Sequence, residues 1–434
     1  MLRAPADRGF PAARAAWFGA TILTFVFTIA FVHRIGLSLY VEPIKRALAL
    51  SDTQIGVLSG IAFAIPYSLG GLLCGWLTDR VHRVRLLTLS ALVWSAATAT
   101  LGVAAGFVQM AAARVVTGAG QAAVQPASAS LLADLIGPDE RGRAYGLFIA
   151  ATAFGTAGAY GLGALSVSAG EILGPMLGLP SWRVGLILLG ALGASAVAAL
   201  LWLREPVRTE QAFGRPSTLG ELGVFCRRNL KVVSTLFIGV TLAFVAPYGQ
   251  LAFMPALFSR KFGWSPEQLA LVYGAIAVVA GAGGSFLGGW IADYWRRHGA
   301  ASSAWLVCLS GSFLSLAPAA AAPLADSGSV ALVWFAVAAL FANWPSVGAL
   351  AVIAEMTPNE LRGQITSGHT AMIGLFSAGL GPVLVGVLTD RVFGSEAALD
   401  RSLTLVFAGC AVLSTLFLAV GHRPYRRLVA MRAA

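Results

Sequence analysis

Two arginines stand inside apolar stretches of this sequence that are long enough to cross a membrane. Arg34 follows the residues AFVH, and Arg114 follows MAAA. An arginine at the centre of a membrane helix costs about 2.5–3.5 kcal/mol on insertion scales, so such residues usually face a cavity or a partner. The guanidinium group binds carboxylate and phosphate through two parallel hydrogen bonds. Arg34 and Arg114 therefore indicate a site for an anionic substrate.

The apolar stretches hold no obvious acidic partner for either arginine. All 19 acids fall in loops or near the ends of those stretches. Glu42 is the nearest to Arg34, and the helical rise between the two is about 12 Å. An anion from outside the chain is the natural counter-charge. The alternative for Arg34 is a side chain that reaches outward to the membrane surface.

Polar residues continue along one side of the helix predicted to carry Arg114. Gly118, Gln121 and Gln125 follow it at spacings of 4, 7 and 11, which places all four on one helical face. We interpret this face as the wall of a cavity in which Arg114, Gln121 and Gln125 bind substrate. The alternative is a hydrogen-bonded face between two packed helices, and for Gln125 neither interpretation is preferred.

His33 directly precedes Arg34. Imidazole titrates close to neutral pH, so His33 is a candidate for a proton-coupling group. A neutral, hydrogen-bonded packing histidine explains the residue equally well, and the charge of Arg34 disfavours the protonated form.

The composition is that of a membrane protein. Of 434 residues, 57% are hydrophobic and 11% are charged, whereas soluble proteins carry about 25% charged residues. Runs near the bilayer length predict an all-α membrane protein with twelve transmembrane helices. The predicted spans are residues 17–40, 55–78, 85–105, 108–136, 143–168, 182–203, 231–257, 268–293, 302–323, 329–355, 363–389 and 402–421.

Basic residues orient these spans. With the N-terminus inside, 21 Lys and Arg fall in cytoplasmic segments and 7 in the opposite loops, so both termini are predicted to be cytoplasmic. The net charge of +11 then reflects basic cytoplasmic loops, and no nucleic-acid partner is expected.

Two motifs recur in the sequence at nearly the same distance. GWLTDRVHRVR (75–85) returns as GWIADYWRR (289–297), and GPDERGRAYG (137–146) returns as TPNELRGQITSG (357–368). The offsets of 214 and 221 indicate a duplicated chain. We predict an N-terminal six-helix half over 1–203, a cytoplasmic linker over 204–230 and a C-terminal six-helix half over 231–434. Such repeats place a substrate site near the bilayer midplane.

The second half offers further candidates for the substrate-binding surface. Tyr248 lies as far into its span as Arg34 does, and Asn343 is close to the repeat partner of Gln121. Gln250 and Trp344 accompany them, and Phe244 could contact an acyl chain. Ordinary helix packing explains each of these residues as well.

Enzyme motifs are not found in the sequence. It contains no G-x-x-x-x-G-K-S/T loop for a nucleotide, no H-E-x-x-H pair, and no cluster of acids. The four cysteines are scattered, without metal or redox spacing. We therefore expect neither an enzyme nor a cofactor or bound metal.

The stretch GWLTDRVHRVR resembles the loop signature of the major facilitator superfamily, and its degenerate second copy strengthens the likeness. The resemblance implies the major facilitator fold and transport by alternating access. In the second copy Tyr294 stands where the first has Arg80, which implies that the second copy closes the cytoplasmic side more weakly. For Arg83 and Arg85 a role as topology anchors is preferred. The residues assigned to gating or to the motifs are Gly75, Asp79, Arg80, Arg83, Arg141, Asp293 and Arg362.

Within that superfamily the chain resembles the Spinster branch. The stretches that carry the likeness are LSLYVEPIKRALALSDTQIGVLSGIAFAIPYSLGGLLCGWLTDR (37–80), AARVVTGAGQAAVQPASASLLADL (112–135), RGRAYGLF (141–148) and GLGPVLVGVLTD (379–390). The branch implies export of amphipathic anions such as lysophospholipids. Two acids of the branch, its suspected proton-coupling groups, are replaced here by His33 and Gln121.

These observations predict a secondary active or facilitative transporter of an amphipathic, lysophospholipid-like anion with a cationic central cavity. The alternatives are an exchanger or uniporter of small organic anions, and a transporter-like sensor that binds without transport. We expect a monomer in the bacterial inner membrane whose partners are the anion, the bilayer and, if coupling persists, protons.

Overall fold

The computed structural model describes residues 13–78, 80–137, 140–208 and 219–433, and within them it contains helices and no strand. The prediction of an all-α protein is thereby confirmed. In chain order the α-helices are α1 Ala13–Gly36, α2 Val41–Leu48, α3 Asp52–Ser59, α4 Ile61–Thr78, α5 Arg83–Leu101, α6 Phe107–Gln121, α7 Val124–Leu135, α8 Arg141–Leu177, α9 Ser181–Ala191, α10 Gly193–Leu201, α11 Leu219–Arg228, α12 Leu230–Phe262, α13 Pro266–Ile276, α14 Gly283–Arg297, α15 Ser303–Leu324, α16 Gly328–Ala342, α17 Trp344–Met356, α18 Asn359–Met372, α19 Gly379–Val387 and α20 Leu399–Ala433. There are also three π-helical segments among the described residues. Ala277–Ala282 joins α13 to α14, Ile373–Ala378 joins α18 to α19, and Leu388–Val392 follows α19.

Eleven stretches of the described residues are long and apolar enough to cross a membrane. The fourth predicted span, 108–136, is divided between α6 and α7 and is not among the eleven. Pro126 cannot donate a backbone hydrogen bond to the carbonyl of Ala122, where the two helices part. α16 and α17 part at Asn343, and Pro345 follows in the same way. Corresponding helices of the two repeats are therefore interrupted at corresponding places.

The chain divides into two compact units, which are described separately. The first comprises Met1–Pro43 and Ile65–Gly214, and the second comprises Ile44–Ala64 and Arg215–Ala434. The halves inferred from the duplication, 1–203 and 231–434, concern the ancestry of the chain and stay a prediction.

In the first unit α1 packs along α8. The rings of Phe27 and Phe148 stack at 4.8 Å between centroids. Gly155 lets the two helices approach closely, because a Cβ at that position would overlap the Cβ of Phe31. α1 is also packed against α7 and α10. The buried face of α1 thus lies at the centre of this unit.

In the second unit α12, α15 and α20 enclose the largest aromatic side chains. Trp305 is fully buried, and its Nε1 donates to the carbonyl of Leu418 at 2.7 Å. Its ring lies 5.1 Å from that of Tyr425. This hydrogen bond satisfies the only polar atom of the tryptophan side chain, so the indole ring can be buried without an unmet donor.

An ion-pair cluster fixes α2 and α3 within the second unit. Asp52 is fully buried, and its carboxylate accepts hydrogen bonds from both terminal nitrogens of Arg260, each at 2.8 Å. Lys45 Nζ donates to the same carboxylate at 2.6 Å. The carboxylate of Asp390 accepts the backbone N–H of Thr53 at 2.6 Å. Two cations around one carboxylate supply the hydrogen bonds that a buried charge requires.

Arg83 forms the corresponding cluster of the first unit. It is 1% exposed, pairs with Asp134, and donates through Nε to Glu205 at 2.7 Å. Its Nη1 also donates to the hydroxyl of Ser130 at 2.9 Å. The side chain is enclosed by its partners, so Arg83 also holds α5 to its neighbours, and its interpretation as a topology anchor stays a prediction. Arg85, two residues on, is exposed.

The second repeat contains a related cluster. Arg296 pairs with Glu355, which stands 221 residues after Asp134, and Tyr425 donates to the same carboxylate. The Arg296 side chain is 54% exposed, however, whereas that of Arg83 is 1% exposed. Since exposed ion pairs contribute little stability, the second cluster is the weaker of the two.

We predict that Arg83→Gln lowers the free energy of unfolding by about 3–5 kcal/mol, because it leaves two partly or fully buried carboxylates without their cation. The matched change Arg85→Gln should alter it by less than about 0.5 kcal/mol. Thermal or denaturant unfolding of the purified chain in detergent measures both. Equal effects of the two substitutions would contradict the role assigned to Arg83.

The same cluster predicts a dependence of stability on pH. Burial raises the pKa of the Glu205 carboxyl, but the Val84 amide and the Arg83 guanidinium outweigh burial and hold the pKa below its ordinary value of 4.5. A lowered pKa stabilises the folded state above pH 4.5, and this contribution is lost as pH falls through the folded pKa. Unfolding midpoints between neutral pH and pH 3 should fall less steeply in Glu205→Gln. The exposed control Asp326→Asn should keep the wild-type slope.

Candidate functional site

Arg34 lies in the last turn of α1 and is half-buried. Its guanidinium carbon lies 4.8 Å from the centre of the Phe31 ring and 4.3 Å from that of Tyr67, which belongs to α4. Each aromatic face stabilises a cation by about 0.5–2 kcal/mol, depending on how far the pair is removed from water. The two rings therefore fix the plane of the guanidinium group and leave it partly open.

Gln125, on α7, extends this polar surface. The hydroxyl of Tyr67 donates to its Oε1 at 3.4 Å, and both side chains are half-buried. Arg34, Tyr67 and Gln125 thus form a continuous polar surface across α1, α4 and α7, which we call the Arg34 surface. Tyr67 was not among the predicted site residues. Its only signal was a phenolic side chain beside Pro66 in an apolar run.

Arg114, on α6, lies beneath the Arg34 surface. Its side chain is 1% exposed, and Nη2 donates to the backbone carbonyl of Arg34 at 3.3 Å. The two predicted site arginines are therefore in contact, through the side chain of Arg114 and the backbone of Arg34. Arg114 supports the last turn of α1 from below, so its contribution to an open binding surface is indirect.

Gln121 does not line an open cavity in this structure, and the expectation that it does was wrong. It is fully buried, and its Nε2 donates to the carbonyl of Ala30 on α1 at 3.0 Å. The alternative given for this face, a hydrogen-bonded contact between packed helices, describes Gln121 and Arg114. The physical reason is that both side chains turn towards backbone carbonyls of α1.

His33 is 1% exposed and lies 2.7 Å, through Nε2, from the carbonyl of Leu189 on α9. Because a carbonyl only accepts, Nε2 carries a proton. Nδ1 is buried without a hydrogen-bond partner among the described residues. A Cβ at Gly193 would come within 2.9 Å of the imidazole ring, so the ring is closely packed. This geometry agrees with the interpretation of His33 as a hydrogen-bonded packing residue.

The candidates of the second unit lie on α12 and at the interruption between α16 and α17. Phe244 and Tyr248 are half-buried one turn apart on α12. Asn343 is half-buried and donates to the carbonyl of Gly281 at 3.1 Å, while the buried Trp344 donates to Gly284 at 2.9 Å. Asn343 therefore binds the interrupted helix to the π-helical segment Ala277–Ala282, and Trp344 binds it to the start of α14.

Gln250 also lies on α12, and its Nε2 donates to the hydroxyl of Tyr273 at 2.7 Å. Its amide is thereby engaged with α13. Phe244 packs against the buried cluster that contains Trp305, and Tyr248 takes part in a further interaction.

The motif residues occupy the ends of helices. Arg80 is exposed, stacks on Trp76 at 4.0 Å and donates to its carbonyl at 3.1 Å. Arg362 donates to the carbonyl of Ala354 at 2.9 Å, and Asp293 is exposed. These contacts are local, and the two hydrogen bonds satisfy backbone carbonyls near the C-terminal ends of α4 and α17.

Three motif residues have little or no described environment. Asp79 lies outside the described residues, and the backbone of Arg141 begins α8 while its side chain is not described. A Cβ at Gly75 would meet no described atom within 4 Å. Gly75 therefore does not mark a close contact between helices among the described residues.

Comparison with known proteins adds the following. A protein named MFS-type efflux pump from Mycolicibacterium smegmatis is 26% identical over 428 residues, which cover 97% of this chain and 96% of that protein. The probable L-galactonate transporter of Escherichia coli is 25% identical over 90% of this chain and 85% of its own length.

Among solved structures, a bacterial homologue of the human lysosomal transporter Spinster, in an inward-facing and unoccupied conformation, superposes with a TM-score of 0.78. It is 24% identical and covers 97% of this chain and 98% of its own, a likeness that shows the fold. The family model of the Major Facilitator Superfamily matches residues 16–335 and 236–429. The chain belongs to the Major Facilitator Superfamily, whose members are membrane transporters and not enzymes.

Proposed function

We propose that this chain carries an organic anion across the bilayer and that the Arg34 surface is where the first unit holds it. The observation that carries the proposal is a half-buried guanidinium group, inside a membrane-spanning helix, stacked on the ring of Tyr67. A charged residue at such a place is a functional candidate by default. The location proposed for this multi-span protein is the bacterial inner membrane.

The chemistry of the Arg34 surface suits a carboxylate or a phosphate. The planar guanidinium group offers paired donors to two anionic oxygens. The rings of Phe31 and Tyr67 hold its plane before any ligand arrives. The amide of Gln125 can add a neutral hydrogen bond beside that charge. Because the groups are positioned in advance, less ordering free energy is lost on binding.

Two substrate classes follow from different observations. Amphipathic, lysophospholipid-like anions are the first, supported by the Spinster-like fold. Small organic anions are the second, supported by the relative named for L-galactonate, which is a carboxylate. Both classes present to Arg34 the same anionic oxygens.

We further propose that transport is facilitative or by exchange, and that His33 does not carry a coupling proton. His33 and Gln121 stand where the Spinster branch is expected to have acids. Both are buried and donate to backbone carbonyls of neighbouring helices. An amide does not titrate, and a buried imidazole that already holds two helices together is poorly placed to take up and release a proton in each cycle.

The first test is the flux of a labelled anionic lysophospholipid and of L-galactonate in proteoliposomes. Arg34→Gln should lower anion flux by about 10- to 100-fold, because a charge-assisted hydrogen bond contributes about 1.5–3 kcal/mol. Arg34→Lys keeps the charge but loses the paired donors, so its flux should lie between that of the wild type and that of Arg34→Gln. Flux of Arg34→Gln equal to wild type would contradict the assignment of the site.

The matched control for this test is Arg46→Gln. Arg46 carries the same charge on the neighbouring helix α2, but it is exposed and lies outside the Arg34 surface. Its flux should stay within about twofold of wild type. If a ligand binds to the wild type and never crosses the bilayer, the chain is a sensor and the transport proposal fails.

The second test imposes a pH gradient across the same vesicles. Wild-type flux should be the same with and without the gradient, and His33→Gln, which retains a side-chain N–H donor, should keep most of that flux. A gradient-driven increase that disappears in His33→Gln would make His33 the proton carrier and overturn the proposed mechanism.

A further inference from the structure

A groove of about 760 Å³ lies in the second unit, between the start of α15 and the end of α20. Its walls carry Arg423, Arg426 and Arg427, together with His422 and Ser302. None of the described residues that line it is acidic. The groove belongs to neither the Arg34 surface nor the motif clusters, and the proposed transport function does not use it.

The three arginines crowd positive charge onto one side of α20. They stand at i, i+3 and i+4, which makes them neighbours on the helix surface, and all three are exposed. Like charges at these spacings destabilise a helix. Glu355, the nearby acid of the second unit, pairs with Arg296 and accepts from Tyr425. An anion in the groove would relieve the repulsion within the arginine cluster.

The start of α15 adds to the positive potential. Ser302 precedes the helix but makes no side-chain hydrogen bond to its first turn. Its hydroxyl lies instead 3.0 Å from Nε2 of His422. The positive end of the dipole of a 22-residue helix therefore faces the same groove as the arginines.

The groove also has an apolar side, formed in part by Leu306 and Val429. It lies where two membrane-spanning stretches, Ser303–Leu324 and Glu396–Met431, begin and end. The charge bias of the loops predicts this end to be cytoplasmic. Leu306 lies one turn further into its span than Ser302, while the arginines stand near the end of α20. Cations beside an apolar side chain that lies deeper in the bilayer match a phospholipid, whose headgroup and acyl chains meet at that depth.

We propose that this groove binds the phosphate headgroup of an anionic phospholipid of the cytoplasmic leaflet. Basic residues near the membrane surface attract such lipids, and clusters between helices bind their headgroups. The guanidinium groups contact the phosphate oxygens, and Leu306 contacts the first methylenes of an acyl chain.

The test is native mass spectrometry of the full chain in detergent, titrated with phosphatidylglycerol, with phosphatidylcholine and with inorganic phosphate. The variant R423Q/R426Q/R427Q should weaken phosphatidylglycerol binding by about tenfold or more. Ala430→Glu, which keeps all three arginines and places a carboxylate in the groove, should weaken it too. Circular dichroism verifies that both variants are folded.

The matched control is R227Q/R228Q/K231Q, which removes the same number of charges from exposed positions of the second unit outside the groove. Its affinity for phosphatidylglycerol should stay within about twofold of wild type. Equal weakening in both triple variants would reduce the effect to net charge and overturn the proposal. Equal binding of phosphatidylcholine, or displacement of the lipid by millimolar inorganic phosphate, would overturn it as well.

Discussion

Three hydrogen bonds to and from one short stretch of α1 determine the geometry of the candidate site. Gln121 donates to the carbonyl of Ala30, Arg114 donates to the carbonyl of Arg34, and His33 donates to the carbonyl of Leu189. In an apolar surrounding each of these contacts satisfies a polar side chain that would otherwise be buried unpaired. They fix the rotation of α1 between α6 and α9, and this rotation directs Arg34 towards Tyr67.

The same constraint explains why one arginine can serve a ligand while its neighbour supports the helix. Arg114 is enclosed, whereas Arg34 is held by two aromatic faces and stays partly open. A buried guanidinium group needs several hydrogen bonds, and backbone carbonyls near a helix end can supply them. Arg34 and Arg114 both stand inside apolar stretches of the sequence, but they differ in what they can bind.

The two predicted repeats share two local structural features. α6 and α7 part near Pro126 as α16 and α17 part near Pro345, and an Arg–acid pair stands at one end of each repeat. The copies have diverged in burial. Arg83 is enclosed by its acids, while Arg296 is largely exposed and the end of α20 carries unneutralised arginines. The second repeat therefore keeps cationic surface that can interact with the membrane.

The sequence by itself determined the all-α class, most of the spans and the superfamily, because apolar length and loop motifs are local properties. It also selected Arg34, since a charge inside an apolar run is conspicuous whatever surrounds it. It could not separate Gln121 from Gln125, which share one helical face, nor find Tyr67 or the burial of Arg83. Those outcomes depend on which neighbouring helix offers a carbonyl, a carboxylate or an aromatic ring. Only the tertiary structure decided them, because it alone brings residues distant in the chain within hydrogen-bonding distance.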